Sequence, residues 1–236
     1  MTLSRFEVID VWRGLAVVGM IVFHFFWIFD FFGFFELVLD EGLFLFLARF
    51  VQISFLFLVG MSLSFSFSRS SSGFYQRQVL RFGVVLACAA LVSLVSWFVF
   101  GEAMVVFGIL HLIAMGILFL FRLVPYPRMS LVLGLLFFVL APVFHAQEPP
   151  LGWLIVFGFS DPSFVSVDYF PLFPWFGFMA VGVWLGSVFF PLLQSFQLPQ
   201  CRFSSPLVWM GNRSLMIYLI HLPVLYGFAL LISLWR

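Results

Sequence analysis

Apolar residues run along this chain in blocks far longer than an amphipathic soluble pattern produces, separated by short polar breaks. The blocks predict seven helical spans, over about 9–32, 43–67, 79–100, 103–121, 129–145, 170–190 and 207–234. Crossing a hydrocarbon layer about 30 Å thick takes roughly 20 helical residues, a length that most of these blocks reach or approach. The stretch LGWLIVFGF (151–159) is too short to cross and is expected to be an interfacial or re-entrant piece; counted as a crossing, it would make eight. The fold class expected is therefore all-α, a polytopic transmembrane helix bundle forming one integral-membrane domain over 1–236.

The polar breaks alternate in charge. Arg5 precedes the first span, Arg69, Arg77 and Arg81 follow the second, Arg122 and Arg128 separate the fourth and fifth, and Arg202 and Arg213 surround the last connection. The breaks between them hold Asp30, Glu36, Asp40 and Glu41, then Glu102, then Glu148, Asp161 and Asp168, without an arginine. Arginine-rich loops stay in the cytoplasm, so the N-terminus is expected inside and, with seven spans, the C-terminus outside. The first block carries Asp10 and Arg13 at its start and lacks a small-residue cleavage site, so it is expected to remain in the mature chain as a span.

Composition strengthens the membrane assignment. Of 236 residues 64% are hydrophobic and only 9% charged, against about a quarter charged in soluble domains, and the mean hydropathy is +1.19. With 11 basic and 10 acidic residues the chain is no general nucleic-acid binder, so the lipid bilayer is its expected surroundings. Cys88 and Cys201 supply neither a disulfide framework nor metal-ligand spacing.

Ionisable side chains within apolar blocks are costly and mark functional sites by default. The stretch RGLAVVGMIVFH (13–24) begins with an arginine and ends on a histidine. At about 100° per residue His24 falls about 20° from Arg13 around the helix and roughly 16 Å further out, with Asp10 about 60° from Arg13. His24, Arg49, His111 and His221, from four different spans, each lie roughly 9–20 Å below the outer surface at about 1.5 Å per residue. They are expected to line one polar cavity in the outer half of the bundle, joined by Tyr218 and Gln52. A second layer near the cytoplasmic face holds Asp10, Arg13, Arg81, Asn212 and Arg213, a set suited to an anion such as phosphate. Blander explanations stand beside these. Asp10 and Arg13 have the spacing of a structural ion pair, Arg49 can snorkel from an outer helix end, the loop arginines serve topology, and a lone intramembrane histidine is often a hydrogen-bonded core residue. No metal is expected, because none of the three buried-layer histidines shares a helix with another.

The segments RFEVIDVWRGLAVVGMIVFHF, FLFLVGMSLSFS (55–66), FGILHLIAMG (107–116), DYFPLFPWFGFMAVGVWLG (168–186) and WMGNRSLMIYLIHLPVL (209–225) resemble, in order, the bacterial branch of the heparan-alpha-glucosaminide N-acetyltransferase catalytic-domain family. That resemblance implies a multi-pass protein of the bacterial inner membrane that moves an acetyl group from cytoplasmic acetyl-CoA to a sugar amine or hydroxyl on the outer side. Wider membrane acyltransferases carry a similar Arg-Gly start followed eleven residues later by a catalytic histidine, a spacing matched by Arg13 and His24. Animal members look different, with Asn at the position of His24 and an essential histidine in the next outer loop; here that loop (27–43) has none. Asn212 and His221 fit the GN-S-L-IY--H ending of both branches.

The expected site thus has His24, His221, Arg49 and His111 in catalytic roles and Asp10, Arg13, Arg81, Asn212 and Arg213 around the CoA. Its partners are acyl-CoA and a glycan or amino-sugar acceptor. A proton-coupled transporter of a small anionic or glycan substrate is the alternative, since the same basic ladder describes a proton or anion path, and a non-catalytic membrane subunit is a third. A homodimer face and a lipid-facing surface look alike in composition.

Overall fold

The computed structural model describes residues 2–3, 5–145, 152–159, 164–195, 198–199 and 204–235. Glu148, Asp161, Cys201 and Arg202 lie outside them. The helices are α1 (Arg5–Phe31), α2 (Gly42–Arg69), α3 (Phe74–Phe100), α4 (Ile109–Leu120), α5 (Pro127–His145), α6 (Leu172–Ser195), α7 (Ser204–Asn212) and α8 (Ser214–Ser233). A two-residue antiparallel ladder joins β1 (Thr2–Leu3) to β2 (Leu198–Pro199). The all-α bundle is thus realised, with six helices among the described residues long and apolar enough to cross a membrane and α4 as a shorter apolar helix.

The boundaries differ from the expected blocks in two places. The fourth block, 103–121, becomes the 12-residue α4, about 18 Å long at 1.5 Å per residue and short of the layer thickness. Gly101, at φ 58, ends α3, and the chain leaves a single 3-10 turn (Gly101–Ala103) in a non-helical run to Gly108. Backbone in apolar surroundings must find protein partners, and this run does: Val167 N–H donates to Ala103 at 3.0 Å and Phe170 N–H to Phe107 at 2.8 Å. Ser93 donates to the Val105 carbonyl at 2.6 Å while the Val105 N–H donates to Ser96 at 2.9 Å. The last block, 207–234, is two helices broken at Arg213, where φ is −110° and ψ 17°. The piece at 151–159 contains a 3-10 helix over Gly152–Phe157.

Contacts within the chain divide it into two compact units, Met1–Phe55 with Leu193–Arg236, and Leu56–Leu192; α2 contributes its first half to one and its second half to the other. In the first unit α1 meets α7 backbone to backbone. A Cβ on Gly14 would strike the Leu207 carbonyl, and one on Gly211 would strike that of Asp10. Only glycine allows such an approach, the usual device for holding helices together where lipid removes the hydrophobic drive. Since Asp10 faces Gly211 and Gly14 faces Leu207, α7 runs opposite to α1. The chain then reverses at Arg213, and α8 runs beside α1 in the same direction, with Val17 and Met20 packed near Ile217 and Tyr218 and, further along both helices, Ile28 and Phe29 near Leu222, Leu225 and Ala229.

The second unit has its own core, in which Leu58, Leu63, Leu112, Ile117, Met179 and Val183 are fully buried. Ser64 ties α2 to α6 by donating to the Val183 carbonyl at 2.6 Å.

Candidate active site

The antiparallel-then-parallel course of α7 and α8 brings two histidines 197 residues apart into contact. His221 Nε2 lies 3.1 Å from His24 Nδ1, and the ring centroids are 4.9 Å apart at 57°. His221 is buried and His24 partly so. Phe23 abuts His24 edge-on at 5.5 Å, and Tyr218 lies 5.8 Å from His221.

The backbone around these rings settles where their protons sit. His221 Nδ1 is 2.7 Å from the Tyr218 carbonyl and 3.1 Å from that of Ile217. Carbonyl oxygens only accept, so Nδ1 carries the hydrogen, and in a neutral ring Nε2 then bears the lone pair. His24 Nδ1 is 3.0 Å from the Met20 carbonyl and faces that lone pair, so it too is an N–H, donating to Met20 and His221. Among the described residues His24 Nε2 has no hydrogen-bond partner. It is an open lone pair on an imidazole whose other nitrogen is tied down, the arrangement of a base.

Near the start of α1 Arg13 Nη1 donates to Asp10 Oδ1 at 2.7 Å and lies 3.5 Å from the Gly211 carbonyl near the end of α7. The guanidinium thus neutralises a carboxylate and meets the negative end of a helix. Asp10 and Arg13 are thus bound up in the α1–α7 contact, while His24 faces α8. Arg213 and Asn212 are exposed at the helix break, the Arg213 guanidinium 4.8 Å above the Trp209 ring. Arg213 stands at the N-cap of α8 and makes no side-chain cap hydrogen bond there.

Arg49 is exposed and donates to Gln52 at 3.1 Å on its own helix. His111 and Arg81 belong to the second unit. His111 sits in the third position of α4, where the Gly108 N–H donates to its Nδ1 at 3.3 Å. Its neutral ring therefore carries the hydrogen on Nε2. Sequence reasoning placed Asp168 only as an outer loop charge; its Oδ2 in fact accepts from the Ile109 N–H at 3.1 Å and anchors the start of α4. No local pattern signals a cap supplied from 59 residues away. Among the described residues no group of three or more His, Cys, Asp or Glu is placed to hold a metal ion.

Six helices among the described residues that are long and apolar enough to cross a membrane define an integral-membrane protein. The chain belongs to the heparan-alpha-glucosaminide N-acetyltransferase catalytic family, whose profile matches residues 5–223. That membership makes it a membrane transferase of the acetyltransferase type. No curated protein and no solved structure matches it.

Proposed function

We propose that this protein carries an acetyl group from cytoplasmic acetyl-CoA to an amine or hydroxyl of a sugar on the far side of a bacterial inner membrane, with His24 as general base. The single observation that carries the reading is the open Nε2 of His24, held by hydrogen bonds on the opposite side of the ring. As the sugar nitrogen or oxygen bonds to the acetyl carbon, Nε2 takes its proton; as the carbon–sulfur bond breaks, the same nitrogen returns a proton to the departing sulfur. The thioester supplies the activated acyl group. An imidazole suits both proton transfers because its ordinary pKa lies near neutrality.

The CoA end falls to the inner residues. Arg213 and Asn212 are exposed at the start of α8 and fit a phosphate by charge and hydrogen-bond type. Arg13 and Asp10 keep that mouth in shape through the α1–α7 contact. Arg81 adds positive charge within its own unit. For a developing negative oxygen, Arg49, in the same unit as His24, is an N–H donor by chemistry, and His111 offers another within its own unit.

Purified protein in lipid nanodiscs is supplied with acetyl-labelled CoA and a panel of glucosamine-type acceptors, and free thiol and labelled sugar are measured. Acceptor-dependent thiol release by the wild type and a loss of about 10²–10⁴-fold in kcat for His24→Gln are expected. No thioester cleavage by the wild type under any acceptor sinks the acyltransferase reading and favours the proton-coupled transporter.

A further inference from the structure

A general-base role for His24 leaves open what its neighbour His221 does. We propose that His221 is a positioning residue: it holds His24 in the Nδ1–H form, so that the Nε2 lone pair faces the reaction, and it accepts a stronger hydrogen bond when His24 becomes positively charged. The inference rests on the general-base reading of His24.

Three observations carry it. The Ile217 and Tyr218 carbonyls fix the proton of His221 on Nδ1, which makes its Nε2 an acceptor. That acceptor points at His24 Nδ1 from 3.1 Å. Burial of His221 removes competing water. A free imidazole prefers its hydrogen on Nε2, which would place the proton where the base is needed. The Met20 carbonyl alone opposes that preference from 3.0 Å; His221 adds a second acceptor on the same side, and its ring also limits rotation of His24. When Nε2 takes a proton from the acceptor sugar, the Nδ1–H bond to His221 becomes charge-assisted and shortens. No proton is gained or lost overall, because the one on Nε2 leaves with the sulfur. A neutral imidazole here does the orienting that a carboxylate does in serine hydrolases, and an uncharged partner suits an apolar bundle better than a buried carboxylate.

Side-chain nitrogen NMR on histidine-labelled protein in nanodiscs reads the tautomer directly, with His24 assigned by its disappearance in His24→Gln. In the wild type His24 is expected with its proton on Nδ1 and a bare Nε2. In His221→Leu the His24 signals are expected to move to a mixture with substantial Nε2–H form, and kcat to fall about 10²-fold or more with KM for acetyl-CoA unchanged. His221→Gln keeps an acceptor oxygen and is expected to restore both the tautomer and most of the rate; its melting temperature, compared with wild type, separates misfolding from loss of orientation. A His24 Nε2–H form in the wild type, or an unchanged His24 spectrum in a folded His221→Leu protein, overturns the assignment. A locked tautomer in a wild type that cleaves no thioester upholds the positioning and removes the acyl-transfer reading instead.

Discussion

His24 and His111 are the same residue on two helices, and their backbones give them opposite chemistry. In the middle of α1 the N–H groups of the preceding turn are already used, so the His24 ring, leaning toward the helix start as helical side chains do, meets only a carbonyl, that of Met20. Met20 draws its Nδ1 toward the N–H form, and His221, a second acceptor on the same side, completes the choice. In the first turn of α4 the N–H groups have no partner within the helix, so the His111 ring meets the Gly108 N–H and its Nδ1 must accept. One histidine is left with an open lone pair, the other with an open N–H. Depth in the membrane, which the two were expected to share, says nothing of this; distance from the helix start does.

The largest expected effect separates these two rings directly. His24→Gln removes the basic ring nitrogen, since an amide oxygen accepts hydrogen bonds but takes up no proton near neutral pH, and is expected to lower kcat by about 10³-fold, roughly 4 kcal/mol, whereas His111→Gln retains an N–H donor and is expected to cost tenfold at most. Steady-state kinetics on both variants decide it, and equal losses break the contrast. A smaller effect sharpens the part played by helix placement. Gly14→Val forces α1 away from α7 and is expected to destabilise the protein by about 1–3 kcal/mol. It also moves His24 relative to His221, so both the melting temperature in detergent and kcat fall. A lower melting temperature with full activity would show that the pair does not depend on that contact.

The smallest effect lies in the non-crossing segment before α6, in the unit that contains His111. Tyr169 donates to the Ile155 carbonyl at 2.5 Å, and burial pushes its phenol up to about 12. Because the folded pKa exceeds the ordinary value near 10, the protonated phenol stabilises the fold fully below about pH 10, and that contribution is lost as pH rises toward about 12. Tyr169→Phe is expected to cost about 1 kcal/mol at neutral pH and to abolish the extra loss of stability between those values. A wild type and variant with parallel melting curves from pH 7 to pH 12 would remove this role.

Much of the fold was legible because the bilayer imposes its own ruler: blocks of about 20 apolar residues can hardly be anything but helices, and α1, α2, α3 and α6 fall close to where the pattern places them. The misses have local causes of another kind. α4 is short because Ser93, Ser96 and the 166–170 segment satisfy an extended run of backbone, partners that hydropathy does not register. The break at Arg213 lies inside an apolar block, two residues after the close approach of Gly211 to α1, a contact that hydropathy does not register.

The site divides along the same line. Periodicity alone put Asp10, Arg13 and His24 on one stripe, because a helix turns by a fixed angle per residue; family likeness and depth counting singled out His221. That His221 touches His24, that Arg13 is spent on Asp10 and the end of α7, and that the free lone pair is on Nε2 of His24 were decided by tertiary structure. The covalent chain sets which groups are present and how they are spaced along a helix. Which hydrogen-bonding atoms face one another depends on how separate helices reverse, approach and cross, and those contacts place the proton.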